Sequence, residues 1–146
     1  MTAGRQVHSD RVLDHIGVAT SSLDEASSAL ALLGLYPEGS DERIAAVNTI
    51  VRCFRAGDVL IELVSPLDDT NPLHDFLNAH GPGLHHVAFR VEDLDAEIER
   101  LDHEGVEFIN REPFAGRAGS RVVFLMPDSQ TGMLVELVEH PGADEH

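Results

Sequence analysis

Leu13-Asp14-His15-Ile16-Gly17-Val18-Ala19-Thr20 and Leu84-His85-His86-Val87-Ala88-Phe89-Arg90-Val91 are two copies of one pattern. In each, a Leu stands two residues before a His, a β-branched residue follows the His, and a small residue comes next. Leu23-Asp24 falls on Leu94-Asp95 at the same offset of 71 that separates His15 from His86. Self-similarity at a fixed offset is the mark of an internal repeat. Each copy reads as an alternating strand that runs into a helix. The predicted helices are Leu23 to Leu33 and Leu94 to Glu104. Ser21-Ser22 and Glu92-Asp93 supply N-cap chemistry before them, and Gly34 and Gly105 are the stop signals after them.

The later part of each copy repeats as well. Leu60-Ile61-Glu62-Leu63-Val64 matches Leu134-Val135-Glu136-Leu137-Val138, at an offset a few residues longer, as a loop-length difference would give. Strand-like runs at Thr49–Phe54 and Arg121–Leu125 precede these segments, each followed by a turn. The coarse unit is therefore β-α-β-β-β, used twice, which predicts an α+β fold of two tandem modules forming a curved mixed sheet. The expected organisation is a flexible tail over 1–11, a first module over 12–67, and a linker over 68–82. A second module over 83–140 and a flexible tail over 141–146 complete it. Within the linker, Asp68-Asp69-Thr70-Asn71-Pro72 is expected to cap a short helix from Leu73 to Ala79.

Composition narrows the function classes. A chain of 146 residues, 42% hydrophobic, can bury a core shared by two small modules. No apolar run reaches the roughly 20 residues that span a bilayer, and the polar stretch Met1 to Asp10 lacks a signal-peptide core. The single cysteine, Cys53, cannot form an internal disulfide and reads as a packed residue of its strand, which suits a reduced cytoplasmic setting. The net charge is -16, and all ten basic residues are arginine. Such a chain repels nucleic acid and anionic membranes. The absence of lysine fits a high-salt or lysine-poor proteome.

The repeat gives the chemistry. Singly, Glu62 and Glu136 are mid-strand carboxylates that face opposite to their aliphatic neighbours. Singly, a histidine in a strand is a packing residue. Together, each module places a His in its first strand and a Glu in its last. Packing about a pseudo-twofold axis would let His15, Glu62, His86 and Glu136 meet. Two imidazoles and two carboxylates suit a divalent first-row metal. An octahedral site of this kind leaves two positions open, as a Lewis-acid site requires and a closed structural site does not. His85 is the rival of His86; the repeat aligns His86 with His15, and strand alternation predicts that His85 points to the opposite face.

The motifs resemble the vicinal oxygen chelate superfamily, which includes glyoxalase I, extradiol dioxygenases, antibiotic-resistance proteins and methylmalonyl-CoA epimerase. The resemblance runs from about Leu13 to Glu139 and is greatest to the epimerase branch. It is carried by Leu13 to Ala19, by Ile61-Glu62-Leu63-Val64-Ser65-Pro66-Leu67 and by Asn71-Pro72-Leu73-His74-Asp75-Phe76-Leu77. Gly83-Leu84-His85-His86-Val87-Ala88-Phe89, Gly116-Arg117-Ala118-Gly119-Ser120-Arg121 and Gly132-Met133-Leu134-Val135-Glu136-Leu137 complete it. The resemblance implies an isomerase that removes the proton beside the thioester of a 2-substituted malonyl-CoA and returns it to the other face. It implies a divalent ion (cobalt, manganese, nickel or zinc), a homodimer, and a base role for Glu136 beside its role as ligand. Arg117 and Arg121 are the candidate anion partners for the acyl-CoA.

Three departures bear on that expectation. Where the family carries Glu-Gln-Gly this chain has Ala46-Val47-Asn48, so the second base is not visible at its usual place. Where the family carries His-Pro-Lys it has Met126-Pro127-Asp128. Its first helix, Glu25-Ala26-Ser27-Ser28-Ala29-Leu30, lacks the usual Phe-Tyr pair. Two alternatives therefore stay open: a glyoxalase-I-like lyase, although the Asp-Pro-Asp-Gly segment of that branch is absent, and a divergent non-catalytic binding member.

Overall fold

The computed structural model of the chain describes residues 11–142. The expected tails fall mostly outside this range, at Met1–Asp10 and at 143–146.

The element order carries out the predicted repeat. The first half is β1 (Val12–Ala19), α1 (Leu23–Ala31), β2 (Glu42–Ile44), β3 (Thr49–Ala56) and β4 (Val59–Pro66). The short helix α2 (Pro72–His80) links it to the second half. That half is β5 (Gly83–Arg90), α3 (Leu94–His103), β6 (Phe114–Ala115), β7 (Arg121–Leu125) and β8 (Val135–Glu139). All eight strands form one mixed, strongly curved sheet in the order β2-β3-β4-β1-β5-β8-β7-β6. Its centre is the antiparallel pair β1–β5. Outward from that pair, β1 runs parallel to β4 as β5 runs parallel to β8, and the remaining neighbours are antiparallel on both sides.

Local chemistry explains the helix limits. The Ser22 side chain accepts from the Glu25 N–H and the Asp93 side chain from the Ala96 N–H, which satisfies orphan donors at the starts of α1 and α3. The helix α1 ends at Ala31, two residues before the predicted end, and α3 ends one residue before its predicted end. In both, the closing turn tightens: the Gly34 N–H bonds to the Ala31 carbonyl and the Gly105 N–H to the Asp102 carbonyl, with φ of 81° and 85° at the two glycines. At α2, the Asn71 side chain accepts from the Leu73 N–H, and Pro72 occupies the first turn, where a missing N–H costs nothing.

Alternation along the strands divides the sheet into two faces. Val123 and Leu137 pack with Leu94 and Ile98 of α3 on one face. On the other, Val51 and Val64 pack with Ile44, Cys53 and Leu73 of α2, while Val122 packs with Val138 and Ala88. Cys53 is buried in this cluster, as expected.

Two irregularities in the central pair matter most. Leu13 pairs with Phe89 but His15 pairs with Ala88, so Asp14 is bulged out of register. Gly17 pairs with His86 but Val18 pairs with Leu84, so His85 is bulged in the same way. A bulge re-aims the side chain of its extra residue. This corrects the alternation argument for His85: its ring lies on the cavity side together with that of His86.

Candidate metal centre and cavity

The pseudo-twofold packing brings the two histidines edge to face, with ring centroids 5.3 Å apart. Their Nε2 atoms converge to 3.3 Å. Oε1 of Glu136 lies 3.4 Å from the Nε2 of His15 and 3.0 Å from that of His86. His15, His86 and Glu136 can thus offer three ligand atoms that lie within 4.8 Å of one another. Glu62 stands at the edge of this group, with Oε1 at 3.5 Å from the His15 Nε2 and Oε2 accepting from the Arg117 Nε at 2.9 Å. All four expected ligand residues are therefore brought to one place and buried.

The close approach of the histidines depends on the small residue after each. Ala88 pairs directly with His15, and Gly17 pairs directly with His86. A Cβ at Gly17 would fall inside the imidazole of His86.

The electrostatics are those of a site that draws positive charge. Burial works against charging His15, but hydrogen bonds to Asp14 and Glu136 and the charges of Glu62 and Glu136 push it up to about 10. Burial likewise opposes ionisation of Glu136, yet hydrogen bonds from His15 and His86 hold it below the usual carboxylate range. Asp14, also buried, is held low by His140 and His15. His85 is pushed down to about 4, first by burial and then by the neighbouring His86. With no ion between them, the carboxylates keep a proton on His15; a divalent cation is the stronger substitute for that proton. Two imidazole nitrogens and convergent carboxylate oxygens are the donor set such an ion takes.

His15, Glu62, His85, His86 and Glu136 line a cavity of about 450 Å³. Val51, Val64, Val122, Phe124 and Val138 form its apolar wall. Arg117 lines it; Arg121 does not, but points to the surface, where it pairs with Asp95 and Glu139. Of the two arginines singled out from the sequence, only Arg117 is therefore at the cavity. Thr49 and Ser120 also line it; both are buried, and their hydroxyls bond to no other described side chain. Sequence reading passed over this pair, although 49 and 120 stand at the same offset as His15 and His86. Sequence reading also passed over Asp14 and His140, whose contact at 2.8 Å joins positions 126 residues apart.

The sequence from residue 14 to 124 matches the family model for the glyoxalase/bleomycin resistance protein/dioxygenase superfamily. The chain belongs to this superfamily. Its β-α-β-β-β repeat, closed into one curved mixed sheet, is the superfamily's vicinal oxygen chelate fold. Within the superfamily, the chain is 40% identical over 138 residues to the uncharacterized protein YqjC of Bacillus subtilis, covering 92% of this chain and 95% of that one. It is 34% identical over 134 residues to the mitochondrial methylmalonyl-CoA epimerase of Dictyostelium discoideum, covering 87% of this chain and 77% of that one. Among solved structures, methylmalonyl-CoA epimerase from Mycobacterium tuberculosis superposes with a TM-score of 0.83 at 33% identity, covering 90% of this chain and 89% of that one. Among the described residues, no helix is long and apolar enough to cross a membrane.

Proposed function

We propose that the chain is a metal-dependent epimerase of a 2-substituted malonyl-CoA, such as methylmalonyl-CoA, acting as a homodimer in the cytoplasm. The observation that carries this reading is the convergence of His15, Glu62, His86 and Glu136 at a cavity that Arg117 and the hydroxyl residues Thr49 and Ser120 also line. A divalent ion of the cobalt, manganese, nickel or zinc type would be held by those four residues, and when bound it supplies Lewis-acid stabilisation of negative charge on substrate oxygens.

The remaining work falls to side chains of this chain. Arg117 offers charge-assisted hydrogen bonds to a carboxylate or thioester oxygen, and its bond to Glu62 fixes where it can reach. The Thr49 and Ser120 hydroxyls donate from within the cavity. The valines and Phe124 keep water from the reacting carbon. Glu136, ionised and facing the same space, accepts the proton beside the thioester.

One observation favours a second reading, a divergent member that binds its ligand without inverting it. Glu62 and Glu136 are the only carboxylates lining the cavity among the described residues, and the wall where the family's other base would stand is Ala46, Val47, Asn48 and Thr49.

Methylmalonyl-CoA incubated with the metal-supplemented protein in heavy water distinguishes the two by NMR. The epimerase reading expects α-proton exchange together with inversion, both abolished by chelator and by Glu136→Gln. No exchange with any of the four metals contradicts the epimerase and is the result the second reading expects.

A further inference from the structure

The bulged residues Asp14 and His85 occupy the same position in the two halves, and each bonds to the Nδ1 of the histidine that follows it. Asp14 is only 5% exposed. One of its oxygens lies 2.7 Å from the His15 Nδ1, and the other 2.8 Å from the His140 Nε2. The Arg90 Nε approaches that second oxygen at 3.4 Å. An ionised carboxylate only accepts, so the His15 Nδ1 carries the proton and its Nε2 is the nitrogen presented to Glu136 and Glu62. In the second half, the Nδ1 atoms of His85 and His86 are 2.9 Å apart. The His85 ring is set edge-on to Phe76 with centroids 4.9 Å apart, which fixes its tilt. For the His86 Nε2 to be free toward Glu136, the His85 Nδ1 must accept the proton of the His86 Nδ1.

We infer that Asp14, anchored by His140, and His85 are positioning residues for the two histidine ligands, with a carboxylate doing in the first half what a neutral ring does in the second. A carboxylate behind an imidazole raises its basicity as well as fixing its orientation, whereas an imidazole partner does chiefly the latter. The first half therefore holds a cation through the stronger donor. His140 acts one step further out: it keeps Asp14 turned toward His15 across the 126 residues that separate them in sequence.

The inference rests on the metal-site reading above, and calorimetric titration with zinc ion separates the two. Wild-type protein is compared with Asp14→Asn, which keeps the shape and one acceptor oxygen, and with His85→Phe, which keeps the ring packing on Phe76. Circular dichroism of each metal-free protein confirms that it is folded. The expected result is a rise in Kd of about ten- to hundredfold for Asp14→Asn and a smaller rise for His85→Phe. Folded variants whose Kd stays within about twofold of wild type, or a larger loss from His85→Phe than from Asp14→Asn, overturn the inference while leaving the metal site in place. A wild-type protein that takes up no zinc overturns the metal site and this inference together.

Discussion

The two halves of the sheet agree at the four proposed ligands and differ behind them. His15 matches His86, Glu62 matches Glu136, and the buried hydroxyls of Thr49, the first residue of β3, and Ser120, just before β7, stand at the same offset. Behind the ligands, Asp14 stands against His85, Gly17 against Ala88, and Cys53 (paired with Glu62) against Phe124 (paired with Glu136). Binding one cation at a pseudo-axis requires the same ligand types from both sides. A substrate has no such symmetry, so nothing requires the surroundings to match. On the proposed metal site, the matching positions are those an ion would constrain, and the differing ones are left to orient its ligands and shape the cavity.

The largest expected break between the halves is electrostatic. In the metal-free protein, His15 is raised from 6.5 to about 10 in the folded state. A group raised on folding contributes stability that is fully present below its unfolded value and lost as pH rises through its folded value. Metal-free protein should therefore lose stability, on the order of a few kcal/mol, between pH 6.5 and 10. Melting curves across that window check this. Zinc-loaded protein should show a flatter profile, because the ion has replaced the proton. An equal fall with and without metal would place the titration elsewhere.

The next effect is steric. Gly17→Ala puts a methyl group into the His86 ring, so the ring must leave its place. Overpacking of this kind costs about 1–3 kcal/mol, and the displaced His86 should also weaken zinc binding. The mirror change, Ala88→Gly in the second half, should cost only about 0.5–1 kcal/mol and leave zinc affinity intact. Denaturant midpoints and zinc titrations of both variants measure the contrast, and equal effects would mean that the halves do not differ at this contact.

Much of this arrangement was legible in the sequence because it is periodic. The paired His and Glu positions, the helix caps at Ser22 and Asp93, and the glycine stops at Gly34 and Gly105 follow from local chemistry repeated at a fixed offset. What was not legible breaks a period or spans the chain. Strict alternation sends His85 to the far face, and only the cross-strand register reveals the bulge that turns it back. Arg117 and Arg121 look alike in sequence, yet the turn before β7 leaves one on Glu62 and the other on Asp95 and Glu139. The Asp14–His140 contact has no local signal, since it joins the first strand to the residue just past the last.

X-ray absorption at the cobalt edge of the cobalt-loaded wild-type protein tests the central claim most directly, that both halves contribute ligands to one cation. The account predicts a first shell of nitrogen and oxygen only, with outer-shell scattering from two imidazoles. A spectrum with one imidazole or none, or protein that retains no cobalt after desalting, would contradict it.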